Sequence, residues 1–289
     1  MTDTSQPTRR DDGPSAIDGP LGSPDREPRT RAETAGLALA TAATFAVAAW
    51  MMRRREVWLD EGFSYTAARL PLSDLASWAI DPRGELNMAL YYLVLGPFAA
   101  VSAAPWWIRL PSVIPTVATV AFVWLIADRL TGRRFVRVAA VLVFLAHPLA
   151  IDYAFEARAY GMLFAATAGL TLLLIMALQG SRRARWAYTI LLPLLIALHF
   201  LVIFVIVSHA VAIVLATTGG WRRRAGRAAA LAGPGLAVAA FAAVAVFREQ
   251  GTLANSSSIT AWSFGSAVYA VTGRAGPPGH GVHLSLIHI

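Results

Sequence analysis

Long apolar runs separated by short basic stretches set the pattern of this chain. The runs occupy residues 34–52, 86–104, 110–127, 138–151, 159–178, 187–217 and 228–247. Crossing a hydrocarbon core of about 30 Å takes about 20 mostly apolar residues at about 1.5 Å each. The pattern therefore predicts an all-α, polytopic transmembrane helix bundle with about six or seven membrane helices. Because the runs are continuous rather than alternating, an outer-membrane barrel is not indicated. Run 187–217 would form a helix of about 46 Å, too long for one crossing even at a tilt of about 40°, so two short crossings turning near His199-Phe200 are expected. Residues 70–80 mix Leu, Trp and Ile with polar residues, which predicts a short helix lying in the interface.

The polar segments frame these runs. Residues 1–33 carry Asp, Pro, Ser, Gly, Thr and Arg with almost no large apolar side chain, which predicts a disordered cytoplasmic tail. Run 34–52 is too long and too far from the start for an ordinary signal peptide and is expected to be a retained first helix. The membrane-embedded region is then 34–247, with an outer loop at 53–85. Residues 248–289 are polar and Gly/Pro-rich, and read as an outer-face loop. A membrane protein that stops midway through such a loop is expected to be part of a longer chain.

Composition sharpens the class. Of 289 residues, 56% are hydrophobic and 15% charged, with a mean hydropathy of +0.54, which excludes an ordinary soluble domain. All 25 basic residues are arginine, and the formal charge is +8. The arginines sit in clusters between runs, a pattern of topology rather than of nucleic-acid binding. Clusters Arg129/Arg133/Arg134/Arg137, Arg182/Arg183/Arg185 and Arg222/Arg223/Arg224/Arg227 are assigned to the cytoplasmic side. Segment 152–160 and His199 then fall on the outer face. Parity also requires an odd number of crossings between Asp60-Glu61 and Arg133, yet two runs intervene. Run 86–104, broken by Pro97 and flanked by Pro82 and Pro105, is the one expected not to cross, lying instead as a re-entrant or surface helix on the outer side; the alternative, an outer Arg133 cluster, breaks the arginine rule for all three clusters. Without cysteine there is no disulfide, thiol nucleophile or thiolate metal site.

Candidate chemistry collects on that outer face. Asp60 and Glu61 follow Arg53, Arg54 and Arg55; Glu156, Arg158 and His199 join them by topology, with Glu85 and Asn87 as further members. A carboxylate placed in hydrocarbon costs about 2.5–3.5 kcal/mol, so these groups belong at the interface or in a water-filled cavity. Carboxylates can deprotonate a hydroxyl or hold a metal, and arginines neutralise phosphate. The combination suits sugar transfer from a lipid-linked phosphosugar, whereas no Gly-rich loop indicates an ATP-type donor. The bland readings are that Arg53–Arg55 anchor a helix end, that His147 and His209 are structural, and that Tyr91, Tyr92, Trp106 and Trp107 are interfacial aromatics. His280, His283 and His288 lack a clean metal-ligand spacing.

Over about residues 45–215 the chain resembles the GT-C superfamily of membrane glycosyltransferases, particularly bacterial relatives of protein O-mannosyltransferases and of the lipid A aminoarabinose transferase. The matching pieces are Trp58-Leu59-Asp60-Glu61-Gly62-Phe63-Ser64, Leu90-Tyr91-Tyr92-Leu93, Arg109-Leu110-Pro111-Ser112, Glu156-Ala157-Arg158-Ala159-Tyr160-Gly161-Met162 and the His199-Phe200 turn. Met88-Ala89 stands where members often carry two prolines, and members usually run to around twice this length. The resemblance implies Asp60 as general base, Glu61 as an acceptor or metal contact, and Arg158 as the donor-phosphate contact. It implies Glu156, Tyr160, His199 and Asn87 as further substrate-binding groups. It also implies a polyprenyl-phosphate sugar as donor, mannose or another hexose or a pentose, and a glycan, lipid or protein acceptor. The setting would be the cell membrane, with the active site on the extracytoplasmic face. No fixed cofactor is implied, although some members use a divalent metal. The rival reading is a non-catalytic transporter or flippase-like protein for lipid-linked sugars, which should show inverted repeats and charges in mid-helix; a third is a scaffolding subunit.

Overall fold

The computed structural model describes residues 24–53, 55–80, 88–199 and 201–253. The chain divides into two units, 1–241 and 242–289, and the bundle and site lie in the first. Every regular element among the described residues is helical: α1 (Arg31–Met52), α2 (Leu59–Ala67), α3 (Leu72–Ile80), α4 (Ala89–Val101), α5 (Pro105–Ile108), α6 (Leu110–Thr131), α7 (Arg134–Leu145), α8 (Pro148–Ala154), α9 (Tyr160–Leu178), α10 (Arg182–Leu194), a 3-10 turn (Leu195–Ala197), α11 (Val202–Ala216) and α12 (Trp221–Leu253).

Three helices, α1, α6 and α9, are long and apolar enough to cross a membrane, and α7 with α8 would make a fourth across a 59° bend. This is the make-up of a membrane protein. Fewer helices meet that length than the six or seven expected, because proline, bends and short lengths divide the other runs. Pro148 opens α8 and sets the bend. Run 187–217 divides as expected, with α10 closing through the 3-10 turn and His199 donating its backbone N–H to the Leu195 carbonyl at 3.1 Å before α11 begins.

Helices α6 and α9 form the central pair and run parallel. At one end Ser112 Oγ donates to the Arg158 carbonyl at 2.6 Å; at the other, Gln179 Nε2 donates to the Arg129 carbonyl at 3.0 Å. Gly161 is needed in this seam, since a Cβ there would overlap the Ser112 carbonyl oxygen. Helix α1 departs from the Arg129 end, where Arg137 holds Glu33 at 3.0 Å, and arrives at the Ser112 end, where Arg55 lies 3.7 Å from Glu156. The expected clusters around Arg129, Arg182 and Arg222 all follow or precede helices that meet at the Arg129 end.

Both termini of segment 53–109 therefore lie at one end of the bundle. Helix α4 does not carry the chain to the opposite end; at 13 residues, about 20 Å, it is also shorter than a 30 Å core requires. It continues through Pro97 rather than breaking there, while Trp107 Nε1 donates to the Phe98 carbonyl at 2.9 Å and ties α5 against it. Met88 precedes α4 at φ 74, a left-handed backbone that a proline ring, fixed near −65°, cannot adopt. Segment 70–80 does form a short helix, α3.

The tail expected to be disordered through residue 33 is ordered from residue 24 onward. Thr30 caps α1 by accepting the Glu33 N–H at 3.1 Å. Before it, Glu27 N–H donates to the Gly132 carbonyl at 3.0 Å, and Arg29 reaches Asp128 at 2.6 Å. The cause is charge: buried Asp128 and Arg137 need partners, and the tail supplies several of them.

Candidate functional site

The site is built from three short segments at the end where α1 stops. The first is the start of α2. Asp60 and Glu61 occupy its first turn, where the N-terminal dipole favours negative charge. Asp60 stays near the rim, its side chain 12% exposed, whereas Glu61 is fully buried.

The second segment is the α5–α6 junction, where Arg109 is itself almost entirely buried. Its Nε donates to Glu61 Oε1 and its Nη2 to Glu61 Oε2, both at 2.7 Å. The far edge of the same guanidinium reaches the carbonyls of Arg55 at 3.2 Å and Glu56 at 3.1 Å. Glu61 Oε1 also accepts the Ala157 N–H at 2.8 Å, and Glu61 Oε2 lies 3.4 Å from the Trp58 N–H. Both oxygens of Glu61 are therefore committed to this chain. That geometry departs from the expected acceptor or metal contact and makes Glu61 a structural partner of Arg109.

The third segment is the turn 155–159 between α8 and α9. It is tight, with Arg158 N–H donating to the Glu156 carbonyl at 2.7 Å. Ser112 fixes it through the Arg158 carbonyl, and the Tyr91 hydroxyl lies 3.2 Å from Ser112 Oγ. Tyr91 and Tyr92, expected at the interface, are instead fully buried, Tyr91 because its hydroxyl has this partner. The Arg158 guanidinium comes within 3.8 Å of Asp60 and lies 6.0 Å from the Tyr160 ring centre. Its Nε is buried without a hydrogen-bond partner among the described residues. Such an atom costs free energy unless a ligand or water completes it.

His199 closes the fourth side. Its ring lies 5.6 Å from that of Tyr160, which stacks at 4.5 Å on Tyr153. His199 Nδ1 accepts the Leu201 N–H at 3.2 Å, which leaves Nε2 to carry the proton of the neutral ring. Burial, reinforced by nearby Arg158, takes the His199 pKa down to about 4, so the ring is neutral at pH 7. Burial likewise pushes the Glu156 carboxyl up to about 7, against the pull of Arg55.

Of the residues singled out from sequence, Asp60, Glu61, Glu156, Arg158, Tyr160 and His199 come together. Asn87 and Glu85 lie outside the described residues, as does Arg54. Arg53 is exposed at the end of α1. His209 is structural, between Thr171 Oγ1 at 3.1 Å and the Tyr188 hydroxyl at 3.2 Å. Among the described residues no three His, Asp or Glu side chains gather as a metal site. Sequence reasoning gave no individual role to Arg109, Ser112 or Arg55. Arg109 carried a signal: it is a lone arginine opening a long apolar run, at the end opposite the basic clusters.

Chemically, the arrangement offers one rim carboxylate that can take a proton and one buried cation with an unused N–H that can hold an oxyanion. No family model, no curated protein and no solved structure matches the chain.

Proposed function

We propose that this protein is a multi-pass glycosyltransferase of the cell membrane with a GT-C-like bundle. It moves a sugar, mannose or a similar hexose or pentose, from a polyprenyl phosphate to a hydroxyl of a glycan, lipid or protein acceptor on the extracytoplasmic face. The observation that carries this reading is the Asp60–Arg158 pair, 3.8 Å apart, with Arg158 Nε buried and unsatisfied beside it.

In the proposed reaction Asp60 removes the proton of the acceptor hydroxyl as its oxygen bonds to the anomeric carbon. The bond from that carbon to the phosphate oxygen breaks, and the charge that develops on the leaving phosphate is met by Arg158. Glu61 acts without touching substrate, through Arg109 and Ala157. Tyr160, Glu156 and His199 wall the sugar pocket, and Asn87 remains a proposed member of it.

The arginine-rich loops at the far end support an outer-facing site, since such loops stay cytoplasmic. Three helices, with α7 and α8 together as a fourth, have the length and apolarity to cross; the proposed seven-span bundle adds α10 with its 3-10 turn, α11 and α12 as further crossings and keeps α2–α5 on the outer side. A transporter would bury charge in mid-helix; among the described residues the buried acids and arginines, Glu33, Glu61, Arg109, Asp128, Arg137, Glu156 and Arg158, sit within a turn or so of helix ends or in the turn between α8 and α9.

The test is transfer from a labelled polyprenyl-phosphate hexose in membrane vesicles. Asp60→Asn and Asp60→Ala are each expected to cut transfer by about 10²–10⁴-fold while membrane insertion is unchanged. Undiminished transfer by either variant would sink the mechanism.

A further inference from the structure

We infer that Arg109 is the positioning residue of this site: by clamping Glu61 and the chain entering α2, it sets the separation between Asp60 and Arg158. The kinetic part of this role rests on the transferase reading of those two groups.

Both facing groups are one residue away from an atom that Arg109 or its turn controls. Asp60 is bonded in sequence to Glu61, which Arg109 holds through two bonds of 2.7 Å. Arg158 follows Ala157, whose N–H is held at 2.8 Å by the same Glu61 oxygen that accepts Arg109 Nε. Three residues after Arg109, Ser112 Oγ fixes the Arg158 carbonyl at 2.6 Å. One turn of chain, 109–112, thus grips both walls of the site.

The chemistry demands arginine rather than a generic cation. One edge of the guanidinium, Nε with Nη2, meets the Glu61 carboxylate, while Nη1 and the second Nη2 hydrogen meet the carbonyls of Arg55 and Glu56. Those carbonyls belong to the extended chain before α2, which helical hydrogen bonds do not serve. Lysine is a point charge with three donors on one nitrogen and cannot span both edges. The pair also matters electrostatically. With Glu61 compensated by Arg109, Asp60 is left as the carboxylate that faces Arg158.

The absence of cysteine allows a direct distance measurement. Spin labels at Thr66→Cys, on the exposed side of α2, and Asp152→Cys, on the exposed side of α8, report the spacing of the two walls; the second removes a charge that acts on Glu156 and is present in every sample compared. In the unaltered background a single narrow distance distribution is expected. Arg109→Lys is expected to broaden or shift it and to lower kcat by about 100-fold, the cost of a misplacement of about 1 Å. Should Arg109→Lys fail to fold, the double variant Glu61→Leu/Arg109→Met leaves no buried charge unpaired, and the same broadening is expected of it. A distribution with the width and centre of the original in either folded variant overturns the positioning role, whatever the activity. Broadened distances together with no transfer by the unaltered protein would leave the positioning role standing and remove the transferase reading.

Discussion

The two ends of the bundle treat buried arginine in opposite ways. At the end where α1 begins, Arg137 is completely enclosed: it reaches Glu33 at 3.0 and 3.3 Å, Asp128 at 3.1 Å and the carbonyls of Gly132 at 2.8 Å and Glu27 at 3.3 Å. At the other end Arg109 is saturated in the same manner, but its neighbour Arg158 is not. Arg158 has one carboxylate at 3.8 Å, an aromatic ring and an unused Nε. A buried cation whose nitrogens are all hydrogen-bonded within the chain holds the fold together. One left with an open N–H beside a rim carboxylate can still take an anion.

The largest effect expected from breaking this contrast is at the closed end. Arg137→Met leaves buried Glu33 to the longer Arg134 contact at 3.7 Å, while Asp128 keeps Arg29 at 2.6 Å. The substitution should cost about 3 kcal/mol; thermal unfolding in detergent measures it. Loss of less than about 1 kcal/mol would mean that the enclosed network is not what joins α1 to α6 and α7.

A pH titration probes the open end at intermediate strength. Glu156, raised from 4.5 to about 7, contributes stability that is fully present below pH 4.5 and lost as pH rises through about 7. His199, lowered from 6.5 to about 4, contributes stability present above pH 6.5 and lost as pH falls through about 4. The two oppose each other between pH 4.5 and 6.5. Glu156→Gln should therefore expose a melting temperature that rises with pH across this window, and His199→Asn one that falls. Identical slopes in the two variants would show that these groups are not buried as described.

The smallest stability change is expected at Arg158 itself. Arg158→Met removes the loose partner of Asp60, 3.8 Å away, and should cost about 1–2 kcal/mol, less than Arg137→Met. It should nevertheless raise the KM for a polyprenyl-phosphate sugar by about tenfold or more, the loss of a hydrogen bond to a charged group. Equal stability losses for Arg137→Met and Arg158→Met would erase the distinction between the ends.

Much of this arrangement was legible in the chain. The turn at His199 follows from a run too long for one crossing, and the convergence of Asp60, Glu61, Glu156, Arg158 and His199 follows from parity between arginine clusters. Other features were not. Asp60 and Glu61 are adjacent and chemically alike, and nothing local says that one stays at the rim while the other is consumed by an arginine 48 residues away. Tail residues such as Glu27 and Arg29 looked too polar to order, because their partners, Gly132 and Asp128, are about a hundred residues distant. Likewise Pro97 signalled a break, yet α4 continues through it.

That the chain is helical and suited to a bilayer can be read from its residues, since apolar run length and arginine spacing depend on the thickness of hydrocarbon and the cost of charge within it. The sequence by itself also determined which residue types could do chemistry at the end of the first helix. Tertiary structure alone decided which charges are spent. Whether a carboxylate is free or clamped depends on donors brought from distant segments, here the Arg109 guanidinium and the Ala157 N–H. Those pairings assigned Glu61 to the fold and left Asp60 and Arg158 facing each other.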